Sequence, residues 1–553
     1  MAVIGKFYGI SLLLIVLTLN LTAQDIWNKP VRLYRMGDWI SYKNCNYPTS
    51  LTEGNEYYYF GTSGGVVPFQ KYSRRWEEPY TTSDGMAGDS VTAVYFDKTT
   101  SYLWAAHEAG ISYLTPTADR WVNYINPQWR IDRFGADNNS LWAKTIDGAY
   151  HRISRLGGDL QPSEFQLPED VIWAPSNLDP LPNFGLYAIN ADLQFDMKGV
   201  IFDQDFREFP ICLFHSTIGK DVYGGAWGLG MITGDDNVKR LNVTPMGPLQ
   251  NSITSLMLTD SGIWMSNSIP DGNRVSNRTG ISFLNFSDWT WKYNETYLVQ
   301  ELATTQVFDI NYRNRRLWIG TDMGLVIHDM EKDQWKRMGM TKGLSDEIVT
   351  TIGLEDSLAW IGTPHGLTLI SLPGFKTRRV NLSPSKIPVR IQKIVVGKDF
   401  IWLGTDNGIY SVDKKNHFVR HFDAFGDEVE LNELISGNFS GIAVSDSVVI
   451  FSRQNILVKY APFLDEWDIL QYSHEQEVVT IFDMAIEDGY LWLGTDFGAL
   501  LIRLSDNYLE RYTTVDGLAG NHVYKINIDG EWVWFGTDRG LTQYHWRLYA
   551  SKN

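Results

Sequence analysis

A repetitive all-β fold is predicted by three features of the 553-residue chain: one motif recurs along it, the interval is regular, and no long helical stripe interrupts it. The motif has the form W-x-G-T-x-x-G. It reads LWIGTDMG from Leu317, AWIGTPHG from Ala359, IWLGTDNG from Ile401, LWLGTDFG from Leu491 and VWFGTDRG from Val533. Looser copies are YYFGTSGG from Tyr58, LWAAHEAG from Leu103 and LWAKTIDG from Leu141. Trp318, Trp360 and Trp402 follow one another at 42 residues, as do Trp492 and Trp534. The 90 residues from Trp402 to Trp492 leave room for one more copy, VIFSRQNI from Val449, with Asn455 taking the last glycine's left-handed backbone. The 122 residues from Trp142 to Trp264 leave room for two more, placed at Tyr187 and Tyr223. About twelve units result.

Each unit reads as four short strands. An alternating segment such as Ile348–Leu354 leads into the Trp strand. The T-D-x-G turn reverses the chain into a third strand (Leu367–Ser371), and a fourth often opens on Asp-x-Trp. Four strands in a period of about 40–45 residues describe a β-propeller blade. The Trp is expected to wedge between adjacent sheets, burying about 150–250 Å², worth at most roughly 4–6 kcal/mol. The first glycine lets the neighbouring blade come close. Thr and Asp open the turn, and the last glycine supplies its positive φ. The cassette is structural rather than catalytic.

Closure and division follow from the ends of the array. The last unit has only 13 residues after Gly540, whereas Gly37-Asp38-Trp39-Ile40-Ser41-Tyr42 is a fourth strand with no preceding blade. The N-terminal strand is therefore expected to complete one ring, because an open ring leaves sheet edges exposed. Tandem propellers of six or seven blades are expected, the first over residues 25–290 and the second over 291–553, with residues 37–44 available to close either. If they close the second, the first is nested within it.

Residues 1–24 carry Lys6, an apolar run from Ile10 to Leu21 and small residues before Asp25, the pattern of a secretory signal peptide. No second long apolar stretch follows, so no membrane span is expected. The formal net charge is −17, and loss of residues 1–23 with Lys6 would take it to −18; nucleic acid is not an expected partner. The run Asp427-Glu428-Val429-Glu430 with Glu433 reads as a solvated loop. Cys45 and Cys212 are the only cysteines, too few for a disulfide framework, and unpaired or buried thiols are expected. Core burial must hold the fold, and 21 Trp supply it.

WIGTDMGL, WIGTPHGL, WLGTDNGI and WFGTDRGL resemble the two-component regulator propeller repeat. So do the companion loops GMAGDSV at Gly85, GPLQNSI at Gly247, GLSDEIV at Gly343 and GLAGNHV at Gly517. The resemblance covers most of residues 38–548 and is weakest over 150–290. It implies twin exported propellers that bind glycans or other small ligands, as in the sensor half of hybrid histidine kinases. No kinase or tyrosine-rich immunoglobulin-like module follows the propellers, so a complete sensor kinase is not expected. The opening G-D-W-x-x-Y, YYFGTSGG and DGMAGDSV also resemble the twin-propeller surface component of the type IX secretion machinery, whose C-terminal sorting domain has no counterpart here. The repeat specifies fold far better than function.

Motifs for chemistry are weak. Gly61-Thr62-Ser63-Gly64-Gly65 matches G-x-S-x-G, yet it falls on a hairpin in register with the other cassettes rather than on a strand-to-helix elbow. His107-Glu108 and His474-Glu475 lack the second histidine of H-E-x-x-H, and His417 with His421 sits where four-residue spacing shares no face. No metal or cofactor is expected. What varies is the turn tip before the last glycine: Met323, His365, Asn407, Gln454, Phe497, Arg539. A constant frame with varied tips suits recognition, although indifferent solvent-exposed tips explain each residue singly as well. The longest hairpin runs 16 residues from Trp264 to Gly280 and carries Arg274 and Arg278. Trp227 in GGAWGLG is a stacking candidate for a sugar ring, with a packed core position as its rival. The expected site residues are thus Trp227, Arg274, Arg278, His365, Asn407, Phe497 and Arg539. The function expected is an exported, non-catalytic binding or scaffold protein at the periplasm or outer surface, recognising an envelope protein or glycan. The alternative is a propeller enzyme such as a polysaccharide lyase or hydrolase, with Asp309, Arg390 and Lys525 on inner strands.

Overall fold

The computed structural model describes residues 34–157, 160–162, 170–190, 192–217, 219–267, 278–302, 306–382, 388–422, 435–470 and 480–550. The leader, Arg274, the 427–433 acidic run and His474 lie outside them. The protein is a tandem β-propeller of antiparallel blades. Among the described residues there are eleven sheets, nine four-stranded, one five-stranded and one six-stranded.

Seven blades form a closed ring: 253–295 (blade I), 307–338 (II), 351–380 (III), 391–422 (IV), 441–470 (V), 481–512 (VI) and 523–544 (VII). Their inner strands contact in that order, and the inner strand of blade VII, Val523–Asp529, returns to Ile253–Thr259 of blade I. Asn527 Nδ2 donates to Leu256 O at 3.0 Å across this seam. Blade VII takes its fourth strand from the N-terminus: Trp39–Tyr42 pairs antiparallel with Gly540–Tyr544, Trp39 opposite Tyr544. The other four sheets, 48–76, 91–125, 131–173 and 194–244, lie in sequence between this closing strand and blade I. The boundary expected near residue 290 passes through blade I, whose fourth strand is Trp291–Glu295.

The count differs from twelve in the region of weakest repeat. Residue 187 belongs to no strand, and Tyr223 lies on Asp221–Ala226 of a six-stranded sheet that takes the place of two expected blades. Ile211 through Ser216 pair with the Tyr223 strand, so the extra strands extend one sheet instead of starting another. Beside it, the segment after Ile172–Trp173 bonds to two inner strands at once. Ala174 N donates to Phe134 O at 2.9 Å and Leu51 N to Pro175 O at 3.0 Å.

The cassette works as its chemistry requires. Trp104, Trp142, Trp264, Trp318, Trp360, Trp402, Trp492 and Trp534 are all buried. Thr321, Thr363, Thr405, Thr495 and Thr537 each donate from Oγ1 to the carbonyl of the closing glycine at 2.7–2.9 Å. A Cβ on Gly320 would stand 2.7 Å from Val349 O, on Gly404 2.6 Å from Phe439 O and on Gly536 2.8 Å from Ile253 O. Each of those carbonyls belongs to the next blade or the loop entering it. In blade V the left-handed residue is Gln454, not Asn455; Arg453 pairs with Ile456 across the same two-residue turn that joins Thr321 to Gly324.

The 48–244 insertion is joined to the ring where its two connecting segments cross. Cys45 N donates to Met246 O at 3.0 Å, Asn44 N to Asn251 Oδ1 at 2.7 Å and Asn46 Nδ2 to Tyr293 Oη at 2.8 Å. Gly247, at φ +80°, lies so near that a Cβ would overlap Lys43 O. Cys45 and Cys212 are free thiols, and burial pushes both up to about 12.

Closure rests on Trp39, which stacks on Tyr544 at 3.8 Å between ring centroids and is buried. Trp39→Ala is expected to cost about 3–5 kcal/mol in chemical denaturation. A loss below about 1 kcal/mol would show that this strand does not hold the ring shut.

Candidate functional site

The turn tips of blades II–VII stand at equivalent places around the ring, on the face that also carries the loops entering each blade. Those loops are pinned to the tips by backbone bonds. Asp322, Asp406, Asp496 and Asp538 each accept, through Oδ1, the N–H of Gln306, Arg390, Thr480 and His522 at 3.0–3.4 Å. The Asp of T-D-x-G is therefore a staple to the entering loop. Sequence alone assigned it to the turn, because the loop partner lies 16 residues upstream.

On this fixed frame the tips differ in chemistry. Met323 is 49% exposed and Phe497 43%, while the side chains of His365 and Arg539 are 64% and 73% exposed. His365 Nδ1 meets Asp346, whose carboxyl burial pushes up but His365 and backbone donors hold below the usual range. Asn407 Nδ2 donates to Tyr410 Oη at 3.0 Å, and its carbonyl faces His421 Nε2 at 2.8 Å. Phe497 lies under Arg511, guanidinium to ring 5.6 Å, and Arg539 Nε is 3.8 Å from Asp538. His417 instead faces Arg378, so the two histidines of blade IV do not form a pair.

Arg278 is a strut rather than a ligand-reaching side chain. Nε and Nη2 donate to Glu295 Oε1 at 3.1 and 2.6 Å, and Nη1 donates to Gly228 O at 2.6 Å. Arg207 takes the other carboxylate oxygen at 2.8 Å. Burial raises the Glu295 carboxyl, but the two arginines overcome it and hold it below the ordinary range. Two guanidiniums on one buried carboxylate tie the 194–244 sheet to blade I. Trp227, one residue from Gly228, is exposed and meets Tyr47 edge-on at 5.1 Å. It keeps an open face, while Arg278 is consumed internally.

The axis of the ring carries one residue per blade, opposite the cassette's first glycine or its replacement: Ser255, Asp309, Thr351, Lys393, Gly441, Asp483 and Lys525. Four of these accept the N–H of the next blade. Ile310 N reaches Ser255 Oγ at 3.1 Å, Ile352 N Asp309 Oδ2 at 2.9 Å, Ile394 N Thr351 Oγ1 at 3.1 Å and Ile526 N Asp483 Oδ2 at 3.1 Å. Lysine cannot accept. Lys393 instead reaches past Gly441, which has no side chain, to Asp483 at 2.7 Å. Lys525 lies 3.6 Å from Asp309 and 3.8 Å from Asp483. Burial raises Asp483, but Lys393 and Lys525 hold it below the usual carboxylate range. Two carboxylates and two ammonium groups thus neutralise one another across the bore. Arg390 lies apart, on the loop entering blade IV, with its backbone N–H on Asp406. The inner-strand trio does not come together: Lys525 lies beside Asp309 at the axis, and Arg390 is on the entering loop.

The remaining motif residues are structural. Ser63 Oγ, at the turn of its hairpin, donates to Asn44 O of the connecting segment at 2.9 Å. His107 is buried with Nε2 2.7 Å from Ser112 Oγ and Nδ1 accepting from Ala109 N at 3.2 Å. No cluster of metal-ligating side chains occurs among the described residues.

Two outcomes are expected. Asp483→Asn leaves both lysines with one carboxylate and should cost roughly 3–5 kcal/mol in denaturant unfolding. An unchanged midpoint would show the network to be solvated. His107, held down to about 4 by burial, binds its proton less tightly folded than unfolded. Its contribution is present above about pH 6.5 and is lost as pH falls toward 4, so stability should drop by about 1–3 kcal/mol across that window. His107→Gln should flatten the profile.

No family model and no curated protein matches the sequence. Among solved structures, the chain is similar to the extracellular domain of the BT4673 one-component system of B. thetaiotaomicron, at TM-score 0.44 and 12% identity over 90% of this chain and 70% of that one. It is also similar to PorZ, a surface component of the type IX secretion system of Porphyromonas gingivalis, at 0.46 and 12%, over 90% and 74%. The Pan2 WD40 domain of Neurospora crassa gives 0.38 and 7%, over 53% and 88%. These likenesses assign no ligand and no partner.

Proposed function

We propose that this chain is an exported binding or scaffold protein without catalysis of its own. In this reading it presents the turn face of the seven-blade ring to an envelope protein or glycan, as a sensor-like or secretion-accessory component. The observation that carries the reading is the division of labour in each T-D-x-G turn: Thr and Asp are spent on backbone bonds, while the next residue is exposed and different in every blade. Rigid scaffolds with varied exposed tips are the common architecture of recognition surfaces. The mutual pairing of Asp309, Lys393, Asp483 and Lys525 argues in the same direction, since a catalytic acid or base needs a reachable reacting group. Export rests on the pattern of residues 1–24, with the periplasm or outer surface as its destination.

The combined variant Met323→Ser, Phe497→Ser, Arg539→Ser tests the reading. Its unfolding midpoint should match the parent within about 1 kcal/mol, because surface tips contribute little. Crosslinking in the native envelope, followed by mass spectrometry, should then show at least about a tenfold loss of the principal partner, or of glycan retention where the partner is a glycan. Identical crosslinked products from parent and variant would remove the turn face from consideration.

A further inference from the structure

A second recess lies where the 48–76 sheet meets blade I beside the crossing segments. Its cavity measures about 240 Å³ and is lined by Tyr42, Trp76, Glu77, Glu78, Trp289 and Trp291, with Met246 and Cys45 deeper in the joint. An adjoining cavity of about 170 Å³ shares Trp76, Met246 and Trp289 and is rimmed by Arg74 and Arg75. Tyr42 stacks on Trp289 at 6.3 Å and meets Trp291 edge-on at 5.8 Å. Trp76 is held by Phe69 at 4.7 Å. Three indoles and a phenol thus surround a small volume.

One buried polar group in this recess, the Tyr42 hydroxyl, is unsatisfied. Tyr42 is 3% exposed and its hydroxyl has no hydrogen-bond partner. A buried hydroxyl in that state carries a desolvation cost that a bound ligand can recover. Burial raises the Glu78 carboxyl, and Glu77 raises it further; no cation among the described residues offsets them. Asp84, behind Glu78, is taken up by Thr81 N at 2.8 Å. The Cys45 thiol, pushed up to about 12 by burial, is neutral. Arg74 turns away to Asp221 at 3.5 Å.

We infer that this cleft binds an alkylammonium or guanidinium group. Aromatic faces attract a cation through their quadrupoles. Glu77 and Glu78 supply counter-charge, and the Tyr42 oxygen can accept an N–H. The volume is below the roughly 300–1,000 Å³ that drug-sized ligands occupy, so it suits one charged group on a short stem rather than an oligosaccharide. The site shares no residue with the turn tips Met323, His365, Asn407, Phe497 and Arg539, so either can fail without the other.

Titration of the purified chain, followed by tryptophan fluorescence and calorimetry, tests the inference. Cadaverine, agmatine and Nα-acetyl-lysine methylamide should bind saturably, and glucose and 1-pentanol should not. Tighter binding of cadaverine identifies a free amine as the source, and tighter binding of the lysine derivative identifies a polypeptide side chain. Glu78→Gln and Trp289→Ala, both at solvent-reached positions, should each weaken the amines at least about tenfold. Asp446→Asn, an exposed acid on blade V, should change nothing and so excludes general attraction to an acidic protein. Absence of saturable amine binding, equal affinity in Glu78→Gln, or preference for the neutral sugar would overturn the assignment.

Discussion

The lateral approach of one blade to the next is the constraint on which the rest of this protein depends. Side chains opposite the first cassette glycine receive N–H groups from the neighbouring inner strand, and the glycine leaves room for the neighbouring carbonyl. Neither effect is large alone, since a hydrogen bond contributes about 0.5–1.5 kcal/mol net. Repeated around a ring they become cooperative, because no blade can withdraw without opening two interfaces. The same approach explains why the last blade borrows its outer strand from the other end of the chain. With Trp39–Tyr42 in place, blade VII gains a complete fourth strand, and Trp39 fills the space beside Gly517.

What the sequence made legible was whatever the repeat imposes on every blade. The buried tryptophans, the Thr-to-glycine turns, the close approach at the first glycine and the N-terminal strand closing a ring all follow from local chemistry at fixed spacing. Legibility ended where identity depends on a partner far along the chain. Arg278 looked like a loop cation because its hairpin is long; its carboxylate, Glu295, sits on the fourth strand of the same blade, and its second anchor, Gly228, is 50 residues away. The same holds for Asp322, Asp406, Asp496 and Asp538, whose partners are backbone groups of the entering loop. Between residues 150 and 250 the motif is degraded, and two expected units became one six-stranded sheet.

The bore and the turn face divide polar residues between two tasks. At the axis, charge is conserved internally: Lys393 and Lys525 stand where acceptors would otherwise be needed, and each is matched by Asp483 or Asp309. Such a network contributes little net stability relative to apolar packing, yet removing one member is expensive. The axis positions thus present groups that are already paired. At the turn tips nothing is matched in this way across blades. Met323, His365, Asn407, Phe497 and Arg539 differ in size, charge and aromaticity while their backbones are held alike.

The crossing of the two connecting segments decides how the insertion can act on the ring. Residues 43–47 leave blade VII, residues 245–251 enter blade I, and they bond to each other rather than hanging as separate linkers. Gly247 leaves no room for a side chain against Lys43, and Glu295 receives arginines from both sides of the same joint. Two short covalent tethers crossed in this way restrict rotation far more than one flexible linker of equal length. A group lodged between Trp76 of the insertion and Trp289 of blade I would therefore act on a joint already stiff. It would alter the fit of the 48–76 sheet against blade I through contacts at their seam, with no need for either to change fold.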